Sequence, residues 1–146
     1  MSPVRAFLRQ IFAGRPAYMN ALLLFCAYMT TVYLPFDLFW KPVAEDQEVW
    51  FGFMLTGWAA KATEPLHWAI YAAGTWGFLG MRSWMHPWAG LYVAQIATGM
   101  LIWNLLDERS PGWWAGVISF APFAALAAAL WWHRALFTSA REPAGG

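Results

Sequence analysis

From Ala17 to Trp40 the chain is apolar almost throughout, interrupted only by Asn20, Thr30, Thr31, Pro35 and Asp37. At about 1.5 Å per residue, a helix of this length exceeds the roughly 30 Å hydrocarbon core of a bilayer, so the stretch reads as a membrane span. A water-soluble alternative fails on composition. Of the 146 residues 60% are apolar and 12% charged, against about a quarter charged in an ordinary soluble domain. A soluble fold of this size could not bury 12 Trp and 11 Phe, whereas a membrane interface favours Trp, whose ring is apolar while its N–H stays wet.

Three more apolar stretches follow. Spans over 17–40, 65–81, 87–106 and 112–133 predict an all-α integral membrane protein, a four-transmembrane-helix bundle within residues 17–134. Residues 1–16 form a basic N-terminus and 135–146 a tail, of which "TSAREPAGG" is expected to be mobile. The second span is expected to start with Thr63 or Glu64 as N-cap and Pro65 at the first helical position, where a missing N–H costs nothing. Pro87 and Pro111 open the next two spans in the same way. Pro35 and Pro122 fall inside spans and should kink them, each freeing a carbonyl for another partner. Small residues four apart, such as Ala69, Ala73 and Gly77 or Ala121, Ala125 and Ala129, suit close helix packing. Residues 48–62, "EVWFGFMLTGWAAKA", are too short and too Gly-interrupted to span, and predict an interfacial helix or a re-entrant lid between the first two helices.

With four spans both termini share a side. Placed in the cytoplasm, that side receives Arg5, Arg9, Arg15, Arg82, Arg134 and Arg141, and the far side keeps Lys41, Lys61 and Arg109. The positive-inside rule therefore predicts a bacterial-type inner membrane protein with both termini cytoplasmic. Arg5, Arg9 and Arg15 resemble a signal-peptide n-region, but no small-x-small cleavage pattern follows, so a retained anchor is expected. The same topology gathers seven of the eight carboxylates, all but Glu142, at the outer end. The net charge of +1 offers no basic surface for nucleic acid, and a lone Cys26 can form no internal disulfide.

Asp37, Glu64, His67, Asn104 and Asp107 all approach the outer ends of the spans. His67 follows Glu64 by three residues, on the same helix face. Two readings fit. In one, a buried carboxylate and imidazole line a pocket as proton donor or as partner for a cationic ligand. In the other, Glu64 favours the helix N-terminus and His67 reaches for interfacial water. Asp37, set among Phe36, Leu38 and Phe39, needs a partner, and Lys41 one turn on is the candidate. Gln95, deep in the third span, either bonds a neighbouring helix or lines the pocket with Asn104, Trp103, Trp40 and Trp68. Glu64-x-x-His67 has the spacing of a carboxylate-bridged metal element, but the second such element is missing, so neither a metal nor another cofactor is expected.

"YLPFDLF", "WAAKATEPL", "LYVAQIATGML" and "FAPFAALAAALWW" together resemble the emopamil-binding (EXPERA) family, which includes sterol isomerases and the sigma-two receptor. The resemblance covers most of the bundle. It implies a pocket open to the bilayer for a sterol-like or cationic amphiphilic ligand, with Glu64 matching the acid before Pro-Leu and Asp37 standing near the other acid. The order of acid and histidine on the second helix is the reverse of the isomerases'. Two functions follow as expectations: an intramembrane pocket that binds or processes a lipid-like molecule, with catalytic candidates Asp37, Glu64 and His67, or a non-catalytic subunit of a larger membrane complex or homo-oligomer. Membrane lipids are partners in either case.

Overall fold

The computed structural model describes residues 3–138; Arg141, Glu142 and the rest of the tail beyond 138 lie outside them. It is mostly helical. After α1 (Pro3–Phe12), α2 (Ala17–Tyr28), a π-helical turn (Met29–Tyr33) and α3 (Leu34–Phe39) run on as one helix. A 3-10 turn (Val43–Glu45) and two strands, β1 (Gln47–Trp50) and β2 (Phe53–Thr56), lead into α4 (Trp58–Leu79), α5 (Met85–Leu106), α6 (Trp113–Trp132) and the short α7 (Ala135–Thr138).

Among the described residues three helices are long and apolar enough to cross a membrane: Ala17–Phe39, Met85–Leu106 and Trp113–Trp132. They match the expected spans within two residues. The second expected span is different. α4 has the length, 22 residues, but its first three turns carry Lys61, Glu64 and His67, which take it below the apolarity of the other three.

The start of α4 also corrects the sequence reading. Neither Thr63 nor Glu64 is an N-cap, and Pro65 lies inside the helix, which begins at Trp58 after Gly57. A proline removes one N–H and crowds the carbonyl four residues back, normally ending a helix. Here the preceding turn is held from outside by Lys61, whose ammonium bonds the carbonyls of Asp37 and Lys41.

Residues 48–62 form neither an interfacial helix nor a single re-entrant segment. Gln47 to Thr56 make an antiparallel hairpin pairing Gln47 with Thr56 and Trp50 with Phe53. The two turn residues, Phe51 and Gly52, both have positive φ (52° and 88°), as the mirror-image turns matching strand twist require. Hence the chain is not wholly α.

Pro35 does not break its helix either. In the π turn the Leu34 N–H bonds the Met29 carbonyl, five residues back. Pro35 has no N–H to offer the next one, Thr30, and Trp68 Nε1 donates to that carbonyl at 2.8 Å instead. Trp68 thus ties the two helices together.

The core cluster, with Met19, Leu23, Phe78, Met85, Leu130 and Phe137 among its members, gathers the start of α2, the end of α4, the start of α5 and the end of α6. Tyr18 there reaches the Ala129 carbonyl (3.1 Å) and His133 Nδ1 (3.0 Å), and Arg15 donates to the Phe78 carbonyl. Arg82 stacks over Trp76, and His86 meets Trp131 edge-on. At the opposite end, Asn104 Nδ2 donates to the Met100 carbonyl (2.8 Å) and its Oδ1 accepts from Ser110 (2.7 Å), closing the α5–α6 connection. Asn104 thus holds the end of α5 to the turn before α6 and is absent from the walls of the two cavities described below.

Candidate functional site

Two polar arrangements occupy the end of the molecule around Asp37. The first is a buried ion cluster. Asp37 (3% exposed), Asp46 (1%) and Glu64 (0%) are held by two lysines. Lys41 Nζ lies 3.0 Å from both Asp37 Oδ1 and Asp46 Oδ1; Lys61 Nζ lies 3.5 Å from Asp46 Oδ2 and 3.3 Å from Glu64 Oε2. The Asp37–Lys41 pair foreseen from the sequence is present. Asp46, the centre of the cluster, was not singled out: it sits in a loop after "KPVAE" and carries no sequence signal of burial.

Three carboxylates share two ammonium groups, so one negative charge is in excess. Burial raises Glu64 to about 7, the neighbouring Asp46 adds to the shift and Lys61 opposes it. At Asp46 burial acts in the same upward direction, but its Lys41 pair, its hydrogen bond with Glu64 and the Lys61 charge outweigh it and hold this acid below the ordinary range. Lys41 is raised, its two acids overcoming the effect of burial. The surplus charge is thus relieved by a proton on Glu64.

Glu64 binds its proton more tightly in the folded chain than at its ordinary 4.5, so its contribution is full below that value and declines as pH rises through about 7. Thermal unfolding in mild detergent should therefore show a melting temperature that drops by several °C between pH 4.5 and 7.5, and Glu64→Gln should flatten that drop. An unchanged slope in the variant would place the titrating group elsewhere.

Asp37, Glu48 and Glu64 each bring one carboxylate oxygen within 4.8 Å of the others, a spacing a divalent cation could bridge. Lys41 and Lys61 already neutralise two of those acids, and an ion would have to displace them.

The second arrangement is at the hairpin. Glu48, on β1, accepts from or shares a proton with His67 Nδ1 at 2.7 Å. Trp50, two residues on and so on the same strand face, stacks on the imidazole with ring centres 4.1 Å apart and planes 13° from parallel. β1 therefore fixes both the tilt and the tautomer options of His67, as a carboxylate bonded to one ring nitrogen does generally.

Beyond His67 lies a cavity of about 370 Å³, roofed by Phe51, Gly52 and Met54 of the hairpin and walled by Gln95 and Trp103. A second cavity of about 380 Å³, wholly apolar in character, runs between α2, α4, α5 and α6, with Leu22, Ala73, Ala89 and Phe123 on its walls. Tyr71, Tyr92 and Ile96 line both. The two tyrosine rings meet at right angles, centres 6.2 Å apart, and form the wall between the chambers.

The expected site residues thus divide. His67, Gln95 and Trp103 meet at one cavity. Asp37 and Glu64 belong to the ion cluster and line neither chamber. Trp40 is 70% exposed beside Phe39, and Trp68 and Asn104 hold backbone groups. Glu48, Trp50, Tyr71 and Tyr92 were not foreseen; the alternation of Glu48 and Trp50 is the one signal that could have found the first two. Compared with protein-family models, curated proteins and solved structures, the chain matches none.

Proposed function

We propose that this is a small multi-pass membrane protein that holds a lipid-like hydrophobic ligand within the bilayer. The observation that carries this reading is the apolar cavity of about 380 Å³ between the long helices, inside the roughly 300–1,000 Å³ range of ligand pockets. Four crossings support it best: α4 runs alongside the apolar helices, its charged first turns up to Glu64 gathered into the ion cluster at the membrane face and its remainder from Pro65 crossing the bilayer. The termini then face the cytoplasm of a bacterial-type inner membrane, where the arginine-rich ends belong. An intramembrane ligand pocket is also what the emopamil-binding resemblance implies.

The group at the ligand that can move a proton is His67, held by Glu48 at 2.7 Å. Asp37 and Glu64, bound to lysines, fix the architecture around it. Any catalysis is proton transfer at the imidazole, which the carboxylate of Glu48 orients.

The test is ligand retention. Purified in mild detergent, the protein should release a lipid-sized molecule detectable by native mass spectrometry. Ala73→Phe and Ala89→Phe, which fill the apolar chamber, should each lower its occupancy at least tenfold while circular dichroism stays helical. A wild-type protein that carries no such molecule, but a stoichiometric protein partner, would favour the accessory-subunit reading instead.

A further inference from the structure

The lining of the two chambers restricts what the ligand's polar end can be. No Asp, Glu, Lys or Arg side chain lines either one. The charged groups around the hairpin chamber are committed: Glu48 to His67, Glu64 and Asp37 to the two lysines, and Arg109, whose guanidinium touches Met54 of the roof, to Asp107. A cationic head would find no free carboxylate, and an anionic head no ammonium or guanidinium. Burying either charge without a counter-charge costs far more than burying a neutral polar group that finds one hydrogen bond.

What the hairpin chamber does offer is hydrogen bonding. Gln95 supplies an amide that both donates and accepts, and no hydrogen bond to another residue occupies it in the described structure. With its Nδ1 engaged by Glu48, His67 keeps Nε2 as the ring nitrogen left for a ligand, accepting from a hydroxyl when neutral and donating to a carbonyl when protonated. Below them the chamber adjoins the apolar one across the Tyr71–Tyr92 wall. Polar at one end and hydrocarbon-like at the other, the pair of chambers has the polarity profile of an amphiphile with a small head.

Resting on the pocket reading above, we infer that the ligand is an uncharged lipid whose end group is a hydroxyl or carbonyl, set between His67 and Gln95 under the hairpin, with its hydrocarbon directed along the shared Tyr71, Tyr92 and Ile96 lining toward the apolar chamber. The chemical class is that of long-chain alcohols and of quinones with a hydrocarbon tail. Diacyl phospholipids, with an ionised phosphate, are excluded by the same lining.

Binding to the full-length protein in mild detergent can be measured with five defined probes: geranylgeraniol, ubiquinone-2, palmitate, hexadecylamine and the hydrocarbon phytane. Geranylgeraniol or ubiquinone-2 should bind at least tenfold more tightly than palmitate and hexadecylamine. His67→Phe and Gln95→Leu should each weaken the preferred probe about tenfold while leaving phytane unchanged, and Ala89→Phe should abolish both. If no probe binds, the pocket reading falls and this one with it. If phytane binds and is lost in Ala89→Phe, but charged probes bind as well as neutral ones or the His67 and Gln95 variants change nothing, the pocket stands and the end-group assignment is overturned.

Discussion

Lys61→Met is expected to be the most damaging single substitution in the chain, lowering stability by about 3–5 kcal/mol, the usual cost of leaving a buried charge without its partner. Lys61 reaches Asp46 and Glu64 by charge and the carbonyls of Asp37 and Lys41 by hydrogen bond. It therefore ties the end of α3, the loop before the hairpin and the start of α4 at one point. Methionine keeps the stem and loses the ammonium, so packing is spared and the charge effect isolated. Thermal unfolding in mild detergent should show a melting temperature lower by roughly 10 °C, taking about 2–4 °C per kcal/mol for a chain of this size. Adding Glu64→Gln should recover part of the loss, because one stranded carboxylate is removed with it. Variants that add independently, with no recovery, would mean that the two residues are not energetically paired.

Gly52→Ala is expected to be the second. Its φ is +88°, and a Cβ there would lie 2.5 Å from Ile102 Cβ, 2.6 Å from Ile102 Cγ2 and 3.0 Å from the Gly99 carbonyl oxygen. The first two atoms belong to a branched side chain close to its backbone and the third to the backbone itself, so none can step aside cheaply. Left-handed strain of about 1–2 kcal/mol and overpacking of about 1–3 kcal/mol act together. The hairpin should lift from α5, opening the roof of the His67 chamber. Hydrogen exchange across residues 47–56 should rise by an order of magnitude or more, and any ligand held beneath should be lost. Gly14→Ala is the control: φ is +74° there and nothing lies within 4 Å of the added Cβ, so only the conformational part remains. Equal effects at the two positions would show that Gly52 matters for its turn and not for its contact with α5.

The hairpin explains why part of the site was hidden in the sequence. "EVWFGF" has no Asn-Gly or Asp-Gly at its turn; an aromatic residue, Phe51, occupies the positive-φ position where such residues are rare. Its apolar content is indistinguishable from a short interfacial helix until strand pairing is known. Trp68, Asn104 and Trp40 illustrate a different difficulty. All three stand at the depth expected for a pocket, but a helix can be rotated about its axis without changing the depth of any residue. Rotation turned Trp68 toward the Thr30 carbonyl and left His67, one residue earlier, facing Trp50 and the chamber.

Length and apolarity, summed along each segment, were enough to place from the sequence the three described helices long and apolar enough to cross a membrane, and the one-turn spacing was enough to name Lys41 as the candidate partner of Asp37. Those are local properties, and solvent transfer depends on little else. Which acids share the lysines, which histidine nitrogen Glu48 engages, and that a hairpin rather than a helix closes the chamber were decided only by tertiary contacts between segments far apart in the chain. Each of these turns on helix rotation and strand pairing, whose energies come from partners that no single segment contains.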